Sequence, residues 1–161
     1  GWHEGVLKPC VSGAARHTYR VDASNAERLQ QELATLFAQE SFIYQPFVTD
    51  IQQGGEKSVL VFGGVATHAV RKVPKAGDFR VQDDHGGTWS PYAATPEELE
   101  FAQRAIAAVE PHPQYGRVDI VRGNDGALQL MELELIEPEL WLRSSPEAAE
   151  RFAAAIVEAL G

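Results

Sequence analysis

The feature that most constrains this chain is an acidic hairpin pattern over residues 117–139. Its turn signal is Asp125-Gly126, a pair that tolerates the positive φ required at both central positions of a type I′ turn. With these two residues as the loop, Asn124 faces Ala127, and counting outward along the antiparallel pair sets Asp119 opposite Glu132. Glu134 returns to the same face of the pleat, roughly 7 Å further along the strand. Carboxylates facing one another on one sheet face repel across the ladder. A divalent cation among them removes that repulsion, and carboxylate oxygens suit a hard ion such as magnesium.

A plainer reading makes Glu132 and Glu134 the wet side of a half-buried strand, the ordinary reason for alternating Leu and Glu. In the two-residue register, however, Leu128 and Leu130 share the face of the acids, leaving it apolar at one end and acidic at the other. A cleft needs such a gradient and a solvated surface does not. No His or Cys in the pattern narrows the choice of metal.

At 161 residues, 44% hydrophobic and 23% charged, the chain has ordinary globular composition, enough for one domain or two small packed lobes. Its formal net charge of −9 disfavours nucleic acid and anionic membrane as general partners, because their phosphates would be repelled. Cys10 is the single cysteine, so no internal disulfide can form, and a reducing, cytoplasmic setting fits. Neither a signal-peptide pattern nor an apolar run near 18 residues is present, so neither export nor a membrane span is expected. A strand-like run begins within a few residues of Gly1, and the sequence is expected to be part of something longer.

In chain order, residues 5–8 read as a strand stopped by Pro9, followed by a loop of small residues, 10–15, and a strand over 17–22. Ser24 and Glu27 have capping-box spacing ahead of Ala26, Leu29, Leu33, Leu36 and Phe37, which predicts one helix over 25–39. Residues 42–48 read as a strand interrupted by Pro46, completing a β-β-α-β unit. Runs 57–62 and 65–73 flank Gly63-Gly64 as a hairpin. Residues 74–92 read as one long loop around Arg80, and a loop of that length is expected to be functional. Thr95, Pro96 and Glu98 open a helix with Leu99, Ala102, Ile106 and Val109 as its stripe. After the hairpin, Ser145 and Pro146 open a last helix with Ala149, Phe152, Ile156, Val157 and Leu160 as its apolar face.

The segments VLKP, YQPFVTDIQQGGEKSVLVF, AVRKVP, RVDIV and LMELELIEP occur in an order and spacing that extend over essentially the whole chain. In these the sequence resembles the C-terminal part of an ATP-grasp ligase, and is most similar to the bacterial glutathione synthetase-like branch. The LMELELIEP ending is also similar to relatives that include a cyclo-ligase of cycloserine biosynthesis. The resemblance implies an α+β fold of two small lobes that clasp ATP between antiparallel sheets. They are expected over 1–47, with the phosphate loop and the hinge at its end, and over 48–161, with the metal-binding hairpin. The domain that precedes this region in the family is expected to be absent from the chain.

The implied reaction is ATP- and Mg²⁺-dependent activation of a small carboxylate substrate as an acyl phosphate, for attack by an amine or similar nucleophile. A fragment of this length is expected to be inactive alone. The alternative is a non-catalytic nucleotide- or metal-binding module that keeps the same architecture, and a homodimer is left open. The resemblance assigns Lys8 to the nucleotide phosphates, the loop 12–17 with Ser12 and Gly13 to covering them, and Gln45, Pro46, Phe47 and Val48 to the hinge beside adenine. This loop carries Gly13 alone where relatives are often richer in glycine. Glu56 matches the acid on the ribose hydroxyls, and Lys72, rather than its neighbour Arg71, a second phosphate contact. Arg80 matches an arginine near the acyl phosphate, with Gln82 as a minor companion, and Asp119, Glu132 and Glu134 match the magnesium ligands. Glu134 departs from the pattern, since relatives frequently carry asparagine there.

Overall fold

The computed structural model describes residues 2–161, with Asp83 through its backbone alone. The chain divides into two compact units, Gly1–Val48 and Thr49–Gly161. Among the described residues, no helix is long and apolar enough to cross a membrane.

The first unit is a three-stranded antiparallel sheet in the order β2-β1-β3, built from β1 (Glu4–Pro9), β2 (Tyr19–Asp22) and β3 (Phe42–Pro46). Gly5 sits in the central strand under the Tyr44 ring, where any Cβ would collide with the phenol. β2 starts two residues later than expected, because His17 holds a left-handed φ of 51° that ends the preceding loop. β3 ends at Pro46, and beyond it the Phe47 N–H donates to the Glu4 carbonyl at 3.2 Å. The helix expected over 25–39 is broken: α1 (Ala26–Glu32) and α2 (Ala34–Phe37) meet at Leu33, whose φ and ψ of −96° and 4° leave the helical range. The expected capping box does not form, since Asp22 already accepts from the Ser24 backbone N–H at 2.7 Å and Asn25 takes the cap position. No proline or glycine marks the break; Leu33 is buried there with Leu29.

The second unit is a five-stranded antiparallel sheet in the order β6-β5-β4-β7-β8: β4 (Glu56–Phe62), β5 (Val65–Val73), β6 (Thr88–Tyr92), β7 (Tyr115–Arg122) and β8 (Leu128–Glu134). β6 corrects the expectation of a loop over the whole of 74–92. Pro91 hid it from the sequence pattern, and the strand tolerates the missing N–H because it pairs with β5 alone, at the sheet edge.

Alternation divides the sheet into two faces. Val59, Val61, Ala69, Val118 and Ile120 pack against Ala102 and Ile106 of α3 (Pro96–Ala107), which starts in a full Thr95–Glu98 capping box. Leu60, Phe62 and Val70 point the other way, to Trp141 and to Ala148 and Ala155 of α4 (Pro146–Leu160). The inward face of α4 differs from the stripe read in the sequence. Ala148 and Ala155 allow the helix to approach closely, and Phe152 between them stacks on Phe62 at 4.7 Å. Ala149, Ile156, Val157 and Leu160 are left on the exposed side. α4 covers only part of its face, and the charged end of that face is the candidate site.

Candidate functional site

The hairpin of β7 and β8 closes differently from its sequence signal. Gly123 N–H donates to Ala127 at 2.8 Å and Gly126 N–H to Gly123 at 2.9 Å, so the loop has three residues, ending in Gly126 at φ 82°. Near the tip the register is therefore Arg122 with Leu128 and Ile120 with Leu130. An irregularity between Asp119 and Ile120, with Met131 as the extra residue, then restores Asp119 opposite Glu132. Two departures from the expected geometry cancel. The expected sharing of a face by the leucines and the acids is wrong, because Leu130 pairs with Ile120 of the α3 core. A two-residue loop would have turned Leu128 and Leu130 onto the carboxylates; the longer loop and the bulge keep them apart.

On the carboxylate face, Asp119, Glu132 and Glu134 offer oxygens that all lie within 4.8 Å of one another. Asp119 is fully buried, Glu134 intermediate and Glu132 exposed, so the cluster opens along β8. Oxygens on opposite sides of a magnesium ion at about 2.1 Å are roughly 4.2 Å apart. Small side-chain rotations would therefore fit this donor set around a hard cation.

The chain's own cations share the cluster. Arg117 donates from Nε to both Asp119 oxygens at 3.0 and 3.1 Å and from Nη2 to Oδ2 at 2.9 Å, and it also pairs with Glu134. Lys72 Nζ lies 2.9 Å from Asp119 Oδ2 and pairs with Glu56, its partner across β4 and β5. Ser58, fully buried on β4, is opposite Asp119. Burial alone would push the Asp119 carboxyl up, but the Lys72 ammonium and Arg117 guanidinium hold it below its ordinary value. Glu56 goes the other way: burial, reinforced by the charges of Asp119 and Glu132 and only partly offset by Lys72, pushes it up to about 7. Burial also raises Glu134 despite the opposing charge of Arg117.

The other sequence-derived candidates lie in various settings. Glu56 is buried on the Lys72 ammonium rather than solvated in a glycine turn. Arg71 projects away from this cluster and donates to the Gly54 carbonyl at 2.8 Å, which leaves Lys72 as the site's cation on β5. Arg80 is clamped by Asp78, with Nε and Nη2 bonds of 3.0 and 2.7 Å. In the first unit, Lys8 stands on β1 opposite Ile43, and Gln45 and Pro46 stand opposite Val6 and Gly5. Phe47 and Val48 are buried, with Arg20 over the Phe47 ring at 4.0 Å. Ser12 Oγ donates to the Arg16 carbonyl at 3.0 Å, and Gly13 accepts from the Arg16 N–H. The glycine-poor loop nonetheless turns left-handed at Ala14, Ala15 and His17. Arg117 is the main residue that sequence reasoning missed. Its signal was the two-residue spacing to Asp119, which places both on one strand face.

The family profile of the prokaryotic glutathione synthetase ATP-grasp domain matches residues 2–113. The cycloserine biosynthesis protein DcsG of Streptomyces lavendulae is 34% identical, over 98% of this chain and 55% of its own length. The crystal structure of D-cycloserine synthetase DcsG superposes with a TM-score of 0.82 at 32% identity, over 99% of this chain and 56% of that one. The fold also matches a D-alanine–D-alanine ligase from Bacillus anthracis at a TM-score of 0.63 and 20% identity, over 95% of this chain and 52% of the ligase. The chain thus spans about half the length of the relatives it matches, and its carboxylate hairpin lies beyond the profile match but within the likeness to DcsG. The chain therefore belongs to the ATP-grasp family, in the branch of the prokaryotic glutathione synthetases.

Proposed function

We propose that this chain is the nucleotide-binding part of an ATP-dependent ligase that activates a small carboxylate as an acyl phosphate. The observation that carries this reading is the convergence of Asp119, Glu132 and Glu134 within 4.8 Å on a face that also presents Lys72 and Arg117. Acids and cations in that arrangement suit a polyphosphate bound together with a hard cation. Magnesium held by Asp119, Glu132 and Glu134 would screen charge on the nucleotide. Lys72 supplies a fixed positive charge for the phosphates, and Arg117 a planar fork that can hold charge on the transferred group.

In the reaction, a substrate carboxylate oxygen attacks the γ-phosphorus and ADP leaves; an amine or similar nucleophile then attacks the acyl carbon and phosphate leaves. Arg80 is assigned to the acyl phosphate, which requires it to exchange Asp78 for substrate. Lys8, Ser12, Gly13, Gln45, Pro46, Phe47 and Val48 are assigned to the nucleotide and Glu56 to its ribose, with Lys72 as the competing partner of Glu56. The likeness to a D-cycloserine synthetase makes a cycloserine-like product the first to test.

Calorimetry with ATP, with and without magnesium, tests the reading. Magnesium-dependent binding that Glu132→Gln weakens is expected; equal affinity in both proteins would overturn the metal assignment. Nucleotide binding without turnover in a protein of the relatives' full length would favour a non-catalytic module.

A further inference from the structure

The segment between β8 and α4 places an aromatic ring against the cations of the site. Trp141 is 5% exposed and holds φ and ψ of 45° and 35°, a left-handed conformation that is rare for a bulky side chain. Such a conformation persists only when its surroundings fix it, and here several contacts do so. The Trp141 N–H donates to the Glu139 carboxylate at 2.7 Å, and Arg143 holds Glu139 at 3.2 Å. The Trp141 carbonyl accepts from Ser144 N–H at 2.8 Å and Ser144 Oγ at 2.7 Å. His68 Nε2 lies 2.8 Å from the Leu140 carbonyl, tying the segment to β5.

The indole so fixed has the Arg117 guanidinium carbon 5.4 Å and the Lys72 ammonium 6.0 Å from its ring centroid. Both distances lie within reach of a cation–π attraction, which strengthens as the cation is desolvated. Arg117 and Lys72 are also the two cations that hold Asp119. A guanidinium resting on a ring loses the freedom to swing out of the plane in which its fork meets the carboxylate.

We propose that Trp141 is a positioning residue, whose indole face holds Arg117 and Lys72 in register with Asp119 and so keeps both cations aimed at the nucleotide's charge. The inference rests on the proposed nucleotide function for its second half, while the positioning itself is testable without nucleotide.

The test compares Trp141→Phe, which keeps a π face, with Trp141→Leu, which keeps apolar contact only. The first readout is solvent exchange of the Arg117 Nε–H by ¹⁵N NMR at fixed pH without nucleotide. Exchange is expected to rise roughly tenfold in Trp141→Leu and to stay within about threefold of wild type in Trp141→Phe. The second is Mg-ATP affinity by calorimetry, expected to fall roughly tenfold in the Leu variant and much less in the Phe variant. Equal exchange in the two variants, or wild-type exchange in Trp141→Leu, would overturn the proposal. If Trp141→Leu does not fold, Trp141→Met, flexible and apolar, takes its place. A wild type that binds no Mg-ATP, yet shows the expected exchange pattern, would overturn the nucleotide function and leave the positioning role standing.

Discussion

Arg117 grips both oxygens of Asp119 from two residues earlier on the same strand, with Nε and Nη2 bonds between 2.9 and 3.1 Å. Lys72 shares Oδ2 at 2.9 Å, so a fully buried carboxylate is the common anion of two largely buried cations.

Asp119→Asn is therefore expected to cost stability as well as metal binding. Breaking a buried ion pair from one side leaves its partner uncompensated, at about 3 kcal/mol or more. Urea unfolding should show a lower midpoint with an unchanged slope. A variant as stable as wild type would mean that water or other groups satisfy Arg117 and Lys72.

Glu132→Gln separates the two effects. Glu132 is exposed and has its place in the cluster by register opposite Asp119. Unfolding free energy should change by no more than about 0.5 kcal/mol, while magnesium-dependent ATP affinity should fall at least about tenfold.

Glu56 gives the stability a pH signature. Its carboxyl is raised from an ordinary 4.5 to about 7, chiefly by burial, so between these values the folded state binds more protons than the unfolded state. Stability from this group is then present below the ordinary value and lost as pH rises through the folded one. Relative to Glu56→Gln, wild type should lose on the order of 3 kcal/mol between pH 4 and 8. Parallel stability curves for the two proteins would rule out the raised carboxyl.

Arg80→Ala should leave the fold nearly intact, since its pair with Asp78 lies in a partly exposed segment and such pairs contribute at most about 1 kcal/mol. If the proposed ligase reading holds, steady-state kinetics of a protein of the relatives' full length should show reduced kcat with ATP affinity within about threefold of wild type. Outright loss of nucleotide binding would assign Arg80 to the nucleotide instead.

Gly126→Ala probes the turn. Beyond its chain neighbours no heavy atom stands within 4 Å of the added Cβ, so the cost is that of φ 82° alone, about 1 kcal/mol. Thermal unfolding that does not shift would be incompatible with the left-handed third loop residue.

Much of the second unit was legible because its signals are local. Gly63-Gly64 between β-branched runs, and Thr95 with Glu98 ahead of an apolar stripe, each specify an element within a few residues. The break at Leu33 was not legible, since no residue there disfavours helix and the cause lies in packing. Asp119 reached its place opposite Glu132 through a wrong loop and an unseen bulge that offset each other. Arg117 could have been read from strand periodicity. Trp141 could not, because a chain reversal after β8 brings it to Lys72 and Arg117 across 69 and 24 positions of sequence.

The extra residue at Met131 works on β8 as a frameshift works on a message. Leu128, Leu130, Glu132 and Glu134 occupy alternate positions and look like one in-phase series, yet they are read by opposite faces of the sheet. Between fixed ends at Asp119 and Glu132, the hairpin has two isomeric solutions: a short tip in unbroken phase, or a long tip with a phase change. The second keeps leucine side chains off the charged face. A substitution that favoured the short tip would therefore leave the acids in place and still damage the site, by delivering grease to it from several residues away.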